Sequence, residues 1–371
     1  MKRDHGFILK YRSLVVILIS LFLSLLILIF FLSKNAINID AQNLGLGQQT
    51  SSYYPAINDL KIHCNDTNIN ECISFYEDKK KLATLWLGNS QLHGINQMKA
   101  GDVTASELLY RMLTPHEMNL VTISMGNASL LEKYELLKVL ANKININQVI
   151  IPLIMDDMRE SGVRSSIKNY AKENSLIDEL AEITKEDYID DGSDDLNRTY
   201  QEKSENFLNS KLEMLLPAWK TRGEMRTKIF FDLYYLRNKI FKISASSKRS
   251  MLPGVYRQNI DALENILKLM SKNDIEVFLY IAPIRNDVDI PYIASEYMSF
   301  KNELISLSNK YHTDLYNFED IVDSLSWGYK NSTGADGSYE IDFMHFQASG
   351  HKALADSLYF KLILDKVQHD L

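Results

Sequence analysis

The sequence predicts an α/β fold in which helices cover both faces of a parallel sheet. Helical patterns, for example over residues 130–142 and 259–272, separate five short apolar runs of strand length: 82–87, 120–125, 148–155, 275–282 and 314–318. Strands that alternate with helices are typical of a parallel sheet. In such sheets the active site lies beyond the carboxyl ends of the strands, so residues directly after these runs are the candidates for chemistry.

Composition excludes several functional classes. The chain has 371 residues with 41 Lys+Arg and 48 Asp+Glu, and its net charge of −7 argues against a nucleic-acid binder. Apolar residues make up 46%, which is enough for a core and too many for a disordered chain. Two cysteines exclude a disulfide-rich scaffold and a cysteine-based zinc site, and the histidines lack metal-like spacing. We expect no metal and no cofactor.

Residues 13–33 predict a transmembrane anchor. They contain no charge, and as a helix they would span about 30 Å, the hydrocarbon thickness of a bilayer. The run is longer than the apolar part of a cleaved signal peptide. Residues 1–12 hold four basic residues and one acidic residue, which predicts a cytoplasmic tail and places the rest of the chain outside.

Residues 34–79 are rich in Asn, Gln, Ser and Asp without sustained periodicity, so we interpret them as an extracytoplasmic tether. Cys64 and Cys72 bracket a polar loop of seven residues, 65–71, in this segment. In an oxidising compartment two cysteines this close predict a local disulfide, with two unpaired thiols as the alternative.

Residues of about 157–254 contain no convincing strand and interrupt the alternation of strands and helices. We interpret this segment as a helical insertion that acts as a lid or a docking surface. Within it, residues 220–249 carry nine Lys/Arg against two acids, with many aromatic residues between them. Such a helix fits anionic lipid head groups or an acidic glycan. The alternative is a lid helix that buries one face and keeps its charges in water.

Two motifs at opposite ends of the predicted domain 80–371 contain the candidate catalytic residues. The first is Gly88-Asn89-Ser90, directly after the first predicted strand, where a serine hydroxyl is exposed and backbone N–H groups can hold an oxyanion. The second is Asp342-Phe-Met-His345. Its three-residue spacing lets the carboxylate orient the imidazole, whose other nitrogen can then take a proton from a serine.

The pairing of these motifs resembles the SGNH (GDSL-like) hydrolase superfamily over residues 80–371. The resemblance implies a flavodoxin-like three-layer parallel sheet with the helical insertion as an addition. It also implies that Ser90 is the nucleophile, that His345 is the general base and acid, and that Asp342 orients His345. By the same resemblance, His351 in the following Gly-His pair is a structural residue of the last helix.

The oxyanion hole matches the family less well. The resemblance implies that the backbone N–H groups of Ser90 and Gly126 hold the oxyanion. The family's third block supplies an Asn amide, but this chain has Asp156 there, and an ionised carboxylate would repel an oxyanion. Asn127, which follows Gly126, and Asn286 are the alternative third donors.

His93 follows Ser90 by three residues, and two interpretations stay open. It contacts substrate, or it is an ordinary polar residue near the rim of the sheet.

The tethered architecture resembles anchored SGNH proteins of bacterial envelope modification, such as the teichoic acid D-alanine transfer protein and alginate or peptidoglycan O-acetyltransferases. The resemblance implies O-acetylation of an envelope polysaccharide through an acyl-serine at the inner membrane. The partners would be an acylated donor, a glycan acceptor and a multispanning membrane-bound O-acyltransferase. The alternatives are a surface carbohydrate esterase and an inactive scaffold subunit of polysaccharide assembly.

Overall fold

The computed structural model describes residues 56–57, 60–77, 81–99, 101–174, 247–331 and 339–364, together with residues 20, 23 and 24. Most of the predicted anchor and residues 175–246 of the predicted insertion, including most of the basic segment, lie outside the described residues. Within the described part of the chain, no helix is both long and apolar enough to cross a membrane. Apart from residues 20, 23 and 24, the described residues belong to one compact unit, Asn43–Gly192 with Lys242–Leu371.

A six-stranded parallel sheet forms the centre of this unit. Its strands are β3 (His63–Cys64), β4 (Leu82–Gly88), β5 (Leu120–Ser124), β6 (Asn145–Leu153), β7 (Glu276–Ile281) and β8 (Asp314–Asn317). Their spatial order is β3-β5-β4-β6-β7-β8, and every neighbouring pair is parallel. The prediction of a parallel α/β sheet is confirmed, and β4 to β8 correspond to the five apolar runs. Residues 83–88 of β4 and 120–124 of β5 are buried throughout, as expected for strands covered on both faces.

Helices cover both faces of the sheet and enclose two apolar cores. On one face lie α1 (Ile69–Ile73), α3 (Leu130–Lys143), α4 (Ser165–Asn174), α5 (Pro253–Lys272) and α6 (Ala294–Tyr311), and on the other lie α2 (Ala105–Leu113) and α7 (Ala348–Tyr359). A capping box of Ser129 and Glu132 starts α3. Proline at the first turn starts α5 at residue 253.

Residues 60–77 are part of the fold, so the predicted tether is wrong over this stretch. His63 and Cys64 form the edge strand β3, which pairs with β5, while Ile73 and Tyr76 are buried in the core. The predicted disulfide is present between Cys64 and Cys72, and both cysteines are fully buried. A two-residue strand leaves no periodic pattern, and the polar residues around it resemble a linker.

Two antiparallel strand pairs complete the described structure. Strand β1 (Ala56–Ile57) pairs with β2 (Leu60–Lys61), and β9 (Trp327–Asn331) pairs with β10 (Tyr339–Phe346). The sequence did not predict the second pair, whose register shifts between Ile341 and Phe346. The Asp342-x-x-His345 motif lies in this irregular part of β10.

We predict that replacing both Cys64 and Cys72 by serine lowers the free energy of unfolding by about 2–3 kcal/mol. The bond closes a loop with a sequence separation of 8 residues, and its loss releases that loop in the unfolded chain. Urea unfolding of oxidised wild type and the double variant measures the difference. An unchanged midpoint would contradict a stabilising role for this bond.

Candidate active site

Ser90 lies at the carboxyl end of β4, in a 3₁₀ turn over Ser90–Leu92. The Asn89 side chain caps this turn by accepting a hydrogen bond from the backbone N–H of Gln91 at 3.0 Å. A Cβ on Gly88 would lie 2.1 Å from Leu92 Cδ1, so a larger residue here would displace the buried Leu92 side chain. The local sequence therefore places the Ser90 side chain at the rim of the sheet.

The structure brings Ser90, His345 and Asp342 together. His345 Nε2 lies 2.9 Å from Ser90 Oγ, and His345 Nδ1 lies 2.9 Å from Asp342 Oδ2. Asp342 is buried, whereas Ser90 and His345 remain partly accessible. A carboxylate at Nδ1 fixes the tautomer in which Nε2 can accept the serine proton. The catalytic roles of the three residues stay predictions, but their arrangement is the one that this chemistry needs.

Asp342 owes its position to hydrogen bonds on both carboxylate oxygens. Oδ1 accepts from the backbone N–H groups of Met344 at 2.9 Å and His345 at 3.0 Å, which closes a local turn. Oδ2 accepts from Asn96 Nδ2 at 2.8 Å. The predicted turn between Asp342 and His345 is therefore present, although it lies at an irregularity of β10.

Asn96 is a site residue that the sequence did not reveal. Its amide donates to Asp342 and also to the carbonyl of His345 at 3.0 Å, and its side chain is fully buried. A Cβ on Gly328 would lie 2.4 Å from Asn96 Cβ, so the glycine makes room for this contact. No local pattern in the sequence marks Asn96, which lies among polar and apolar residues alike.

Arg285 holds the β9–β10 pair in place from the end of β7. Its backbone N–H donates to the Phe343 carbonyl at 3.4 Å, and its Nη1 donates to the Gly328 carbonyl at 3.1 Å. The rest of the guanidinium binds both oxygens of Asp287 at 2.7 and 3.0 Å. This pairing lowers the pKa of Asp287 and raises that of Arg285.

The predicted oxyanion donors differ in their placement. Gly126 lies against the nucleophile, because a Cβ added to it would sit 3.8 Å from Ser90 Cβ. Asn127 follows it in the left-handed region (φ 52°) and is exposed. Asn286 instead donates to Asp320 Oδ1 at 2.6 Å, which engages its amide away from this role. Asn127 stays a prediction that depends on its position next to Gly126 in the chain.

Asp156 does not present an uncompensated charge to the site. Its Oδ2 is paired with the Arg249 guanidinium, and its Oδ1 lies 3.9 Å from Arg159 Nη1. The negative charge of Asp156 is therefore paired with two guanidinium groups. Arg249 is the last residue of the basic segment 220–249, and nothing in its own neighbourhood predicted this pairing.

A buried ion pair ties the nucleophile turn to α3. Lys133 Nζ lies 3.1 Å from Asp157 Oδ2, and Asn89 Nδ2 donates to the same oxygen at 3.4 Å. Both charged residues are buried. Burial raises the pKa of Asp157, and the charge of Lys133 opposes this rise.

A chain of buried hydrogen bonds runs from His93 into the interior. His93 Nε2 and His63 Nε2 both lie 2.6 Å from Ser124 Oγ, and His63 Nδ1 lies 2.8 Å from Ser106 Oγ. The backbone N–H of His93 also donates to the Ser90 carbonyl at 3.1 Å. Because Ser124 precedes Gly126 by two residues, the chain joins the nucleophile turn to the strand end that carries Gly126. His93 thus faces the interior rather than the substrate side.

Three buried histidines carry lowered pKa values, mainly because burial disfavours the charged ring. The pKa of His93 falls to about 4 and that of His351 to about 3, with a further lowering by the charge of His345 in both cases. The pKa of His63 lies well below its ordinary value. His351 Nδ1 accepts from the backbone N–H of Ala105 at 3.2 Å, so this ring joins α7 to α2.

Comparison with known proteins adds similarity to solved structures only. No family model and no curated protein matches the chain. A predicted acylhydrolase from Bacteroides fragilis aligns at 9% identity and a TM-score of 0.34, over 78% of this chain and 88% of that one. A GDSL-like lipase from Bacteroides thetaiotaomicron aligns at 9% identity and a TM-score of 0.35, over 78% and 90%. Similarity at this level carries no information on activity, which the residues of the site have to supply.

The buried histidines predict a loss of stability in mild acid. The unfolded chain protonates them near pH 6.5, whereas the folded chain keeps them neutral to lower pH. The unfolded state then binds more protons, so the free energy of unfolding falls by about 1.4 kcal/mol per pH unit for each histidine below that pH. Urea unfolding between about pH 7 and 5 measures this slope. His351→Gln should remove about one third of the slope that the three histidines contribute, and an unchanged slope would contradict the assignment.

Asn96→Ala should slow covalent labelling of Ser90 by a fluorophosphonate about 10- to 100-fold, because a hydrogen bond to a charged group is lost from Asp342. The control is Asn309→Ala, which removes an exposed amide on α6. Labelling rates followed by mass spectrometry, with thermal melts of both variants, make the comparison. Equal labelling rates in all three proteins would show that Asn96 does not support the Asp342–His345 pair.

Proposed function

We propose that this protein transfers acyl groups through an acyl-serine intermediate at Ser90. The observation that supports this proposal is the continuous hydrogen-bonded series from Ser90 Oγ through His345 to the buried carboxylate of Asp342. A serine hydroxyl is a weak nucleophile until a neighbouring base takes its proton, and this series provides the base in an oriented form.

In the proposed reaction, His345 Nε2 takes the proton of Ser90 Oγ as the oxygen attacks the ester carbonyl. The tetrahedral intermediate collapses, and His345 returns the proton to the departing alcohol oxygen. An acceptor hydroxyl then loses its proton to His345 and attacks the acyl-serine, and Ser90 leaves with that proton. Water as the acceptor gives an ester hydrolase, and a sugar hydroxyl gives an acyltransferase.

The oxyanion that forms in both steps needs donors near Ser90. We assign the backbone N–H groups of Ser90 and Gly126 to this role, with Asn127 as the third donor. The close approach of Gly126 to Ser90 supports the assignment. Pairing of Asp156 with Arg249 lets the site tolerate a carboxylate where the family pattern has an amide.

We further propose that the reaction is O-acetylation of a cell-envelope polysaccharide. Residues 13–33 would anchor the chain in the bacterial inner membrane with residues 1–12 in the cytoplasm. A multispanning membrane-bound O-acyltransferase would supply the acyl group from the other side, because one span cannot carry a donor across. The disulfide between Cys64 and Cys72 supports an extracytoplasmic location, where oxidising conditions maintain such bonds.

A surface esterase that removes acyl groups uses the same residues and remains the second candidate. An inactive scaffold would have no need for an intact Ser–His contact, and the 2.9 Å distance between Ser90 and His345 favours an enzyme.

The proposal is tested with the full chain in mild detergent and p-nitrophenyl acetate. Wild type should release nitrophenolate, and Ser90→Ala and His345→Ala should each lower the rate by about a thousandfold or more. Ser349→Ala, which changes an exposed serine on α7, serves as the control. Equal rates in wild type and the two site variants, together with no fluorophosphonate on Ser90, would refute acyl-serine chemistry.

Addition of an oligosaccharide acceptor separates the two enzyme candidates. Acetyl groups that appear on the sugar by mass spectrometry, and disappear in Ser90→Ala, would indicate a transferase. Release of acetate to water alone would favour the esterase.

A further inference from the structure

The side chain of Arg164 binds the backbone of Gly126, the residue beside the nucleophile. Arg164 directly precedes α4, and its Nη2 donates to the Gly126 carbonyl at 3.0 Å. Gly126 in turn lies against Ser90, because an added Cβ would sit 3.8 Å from Ser90 Cβ. A single residue therefore lies between this guanidinium and the nucleophile.

The backbone at Gly126 depends on contacts from outside for its orientation. Glycine has no Cβ, so its φ and ψ angles are less restricted than those of other residues. Rotation about these angles changes the direction of the Gly126 N–H, which is the group that would donate to an oxyanion. The residue before it is held, because the Met125 N–H donates to the Gly88 carbonyl at 3.3 Å. On the other side, the hydrogen bond from Arg164 holds the Gly126 carbonyl.

Glu132 keeps the Arg164 guanidinium in one orientation. Arg164 Nε donates to Glu132 Oε1 at 2.8 Å and Nη2 donates to Oε2 at 3.0 Å, a two-point contact between planar groups. The Arg164 backbone N–H adds a bond to Oε1 at 2.7 Å. Glu132 is buried and forms the capping box of α3 with Ser129, so it is a fixed partner. Of the two N–H groups on Nη2, one therefore serves Glu132 and the other serves Gly126.

The disulfide loop contacts the remaining nitrogen of the guanidinium. Asp66 Oδ1 lies 3.5 Å from Arg164 Nη1, and Asp66 Oδ2 accepts a hydrogen bond from Ser166 Oγ. Asp66 lies inside the loop that the bond between Cys64 and Cys72 closes. Protein groups thus engage all three nitrogens of the guanidinium, which joins this loop, the start of α3 and the turn after β5.

We propose that Arg164 is a positioning residue for acyl transfer. By holding the Gly126 carbonyl, it keeps the Gly126 N–H directed at the oxyanion that forms when Ser90 Oγ adds to the acyl carbonyl carbon. The inference rests on the proposed acyl-serine function and adds to it a residue from outside both catalytic motifs. Donors stabilise an oxyanion most when they are oriented in advance. Loss of Arg164 should therefore raise the energy of the charged transition state.

The test uses p-nitrophenyl acetate and the full chain in mild detergent. The endpoint of fluorophosphonate labelling counts active sites, so kcat/KM can be expressed per active site. Arg164→Ala should lower this value by about 10- to 100-fold, because loss of a whole oxyanion donor costs about 100- to 1000-fold and a misdirected donor costs less. The labelling endpoint should stay at the wild-type value.

Trifluoroacetone provides a readout that a purely structural role would not change. Ser90 Oγ adds to its carbonyl carbon, the serine proton passes to His345, and the carbonyl oxygen becomes an oxyanion. The dissociation constant of this adduct should rise in Arg164→Ala by about the factor by which kcat/KM falls. The acidic limb of the pH profile should not move, because it reports the base His345 and not the oxyanion donors.

Arg111→Ala is the matched control. Arg111 on α2 also binds a glutamate through Nε and Nη2, at 3.1 and 2.7 Å from Glu107 Oε1, and it lies on the opposite face of the sheet from α3 and α4. This variant should keep the wild-type kcat/KM and the wild-type dissociation constant.

Arg164→Lys is a second test if Arg164→Ala fails to fold. Lysine keeps the positive charge but lacks the planar fork that reaches Glu132 and Gly126 together. It should show both changes by at least about fivefold.

A kcat/KM per active site within about threefold of wild type in the Arg164 variants would overturn the positioning role. A fall in kcat/KM without weaker binding of trifluoroacetone would overturn it as well, and so would fewer active sites with an unchanged rate per site. In all three cases the acyl-serine function stands. Absence of ester turnover in wild type, with no fluorophosphonate on Ser90, would overturn the function and the positioning role together.

Discussion

The geometry of the candidate site depends on the docking of the β9–β10 pair, because Ser90 follows a strand of the six-stranded sheet whereas His345 lies in β10, 255 residues away in the chain. The six-stranded sheet positions Ser90 alone. Asn96 then binds Asp342 and the backbone of His345, and Arg285 binds Gly328 and Phe343. These bonds hold both strands of the pair in place. The His345 imidazole is therefore already oriented toward the Ser90 hydroxyl. Such preorganisation lowers the entropic cost of reaching the reactive arrangement.

Buried polar contacts fix the strand ends that border the site. The Lys133–Asp157 pair adds little net stability, because the desolvation of two charges offsets much of their attraction. Its effect is geometric, since it joins α3, the turn after β6 and, through Asn89, the nucleophile turn. The hydrogen bonds of Ser124 with His63 and His93 likewise join β5 to β3 and to the turn after β4. Apolar packing in the two cores supplies the stability, and the polar contacts set the relative positions of the groups near Ser90.

Most of the sheet and the local catalytic motifs were predictable from the sequence. Strands buried on both faces are continuous apolar runs, and both Gly-Asn-Ser90 and Asp342-x-x-His345 are local patterns. Asn96 and His63 were not predictable, because their roles depend on partners at distant positions and neither residue has a local pattern. The edge strand β3 was missed because two residues give no period. The charge compensation of Asp156 was missed because Arg249 lies 93 residues further along the chain.

The hydroxyl of Ser124 has one proton and two imidazole neighbours, His63 and His93. The serine oxygen can donate one hydrogen bond and accept two, so at most one of the two rings accepts at Nε2 and at least one donates from it. A neutral ring that donates from Nε2 keeps Nδ1 as an acceptor. Ser106, on the far side of His63, then takes whichever role Nδ1 of that ring leaves to it. A single serine hydroxyl therefore holds at least one of these two neutral rings in the tautomer with its proton on Nε2.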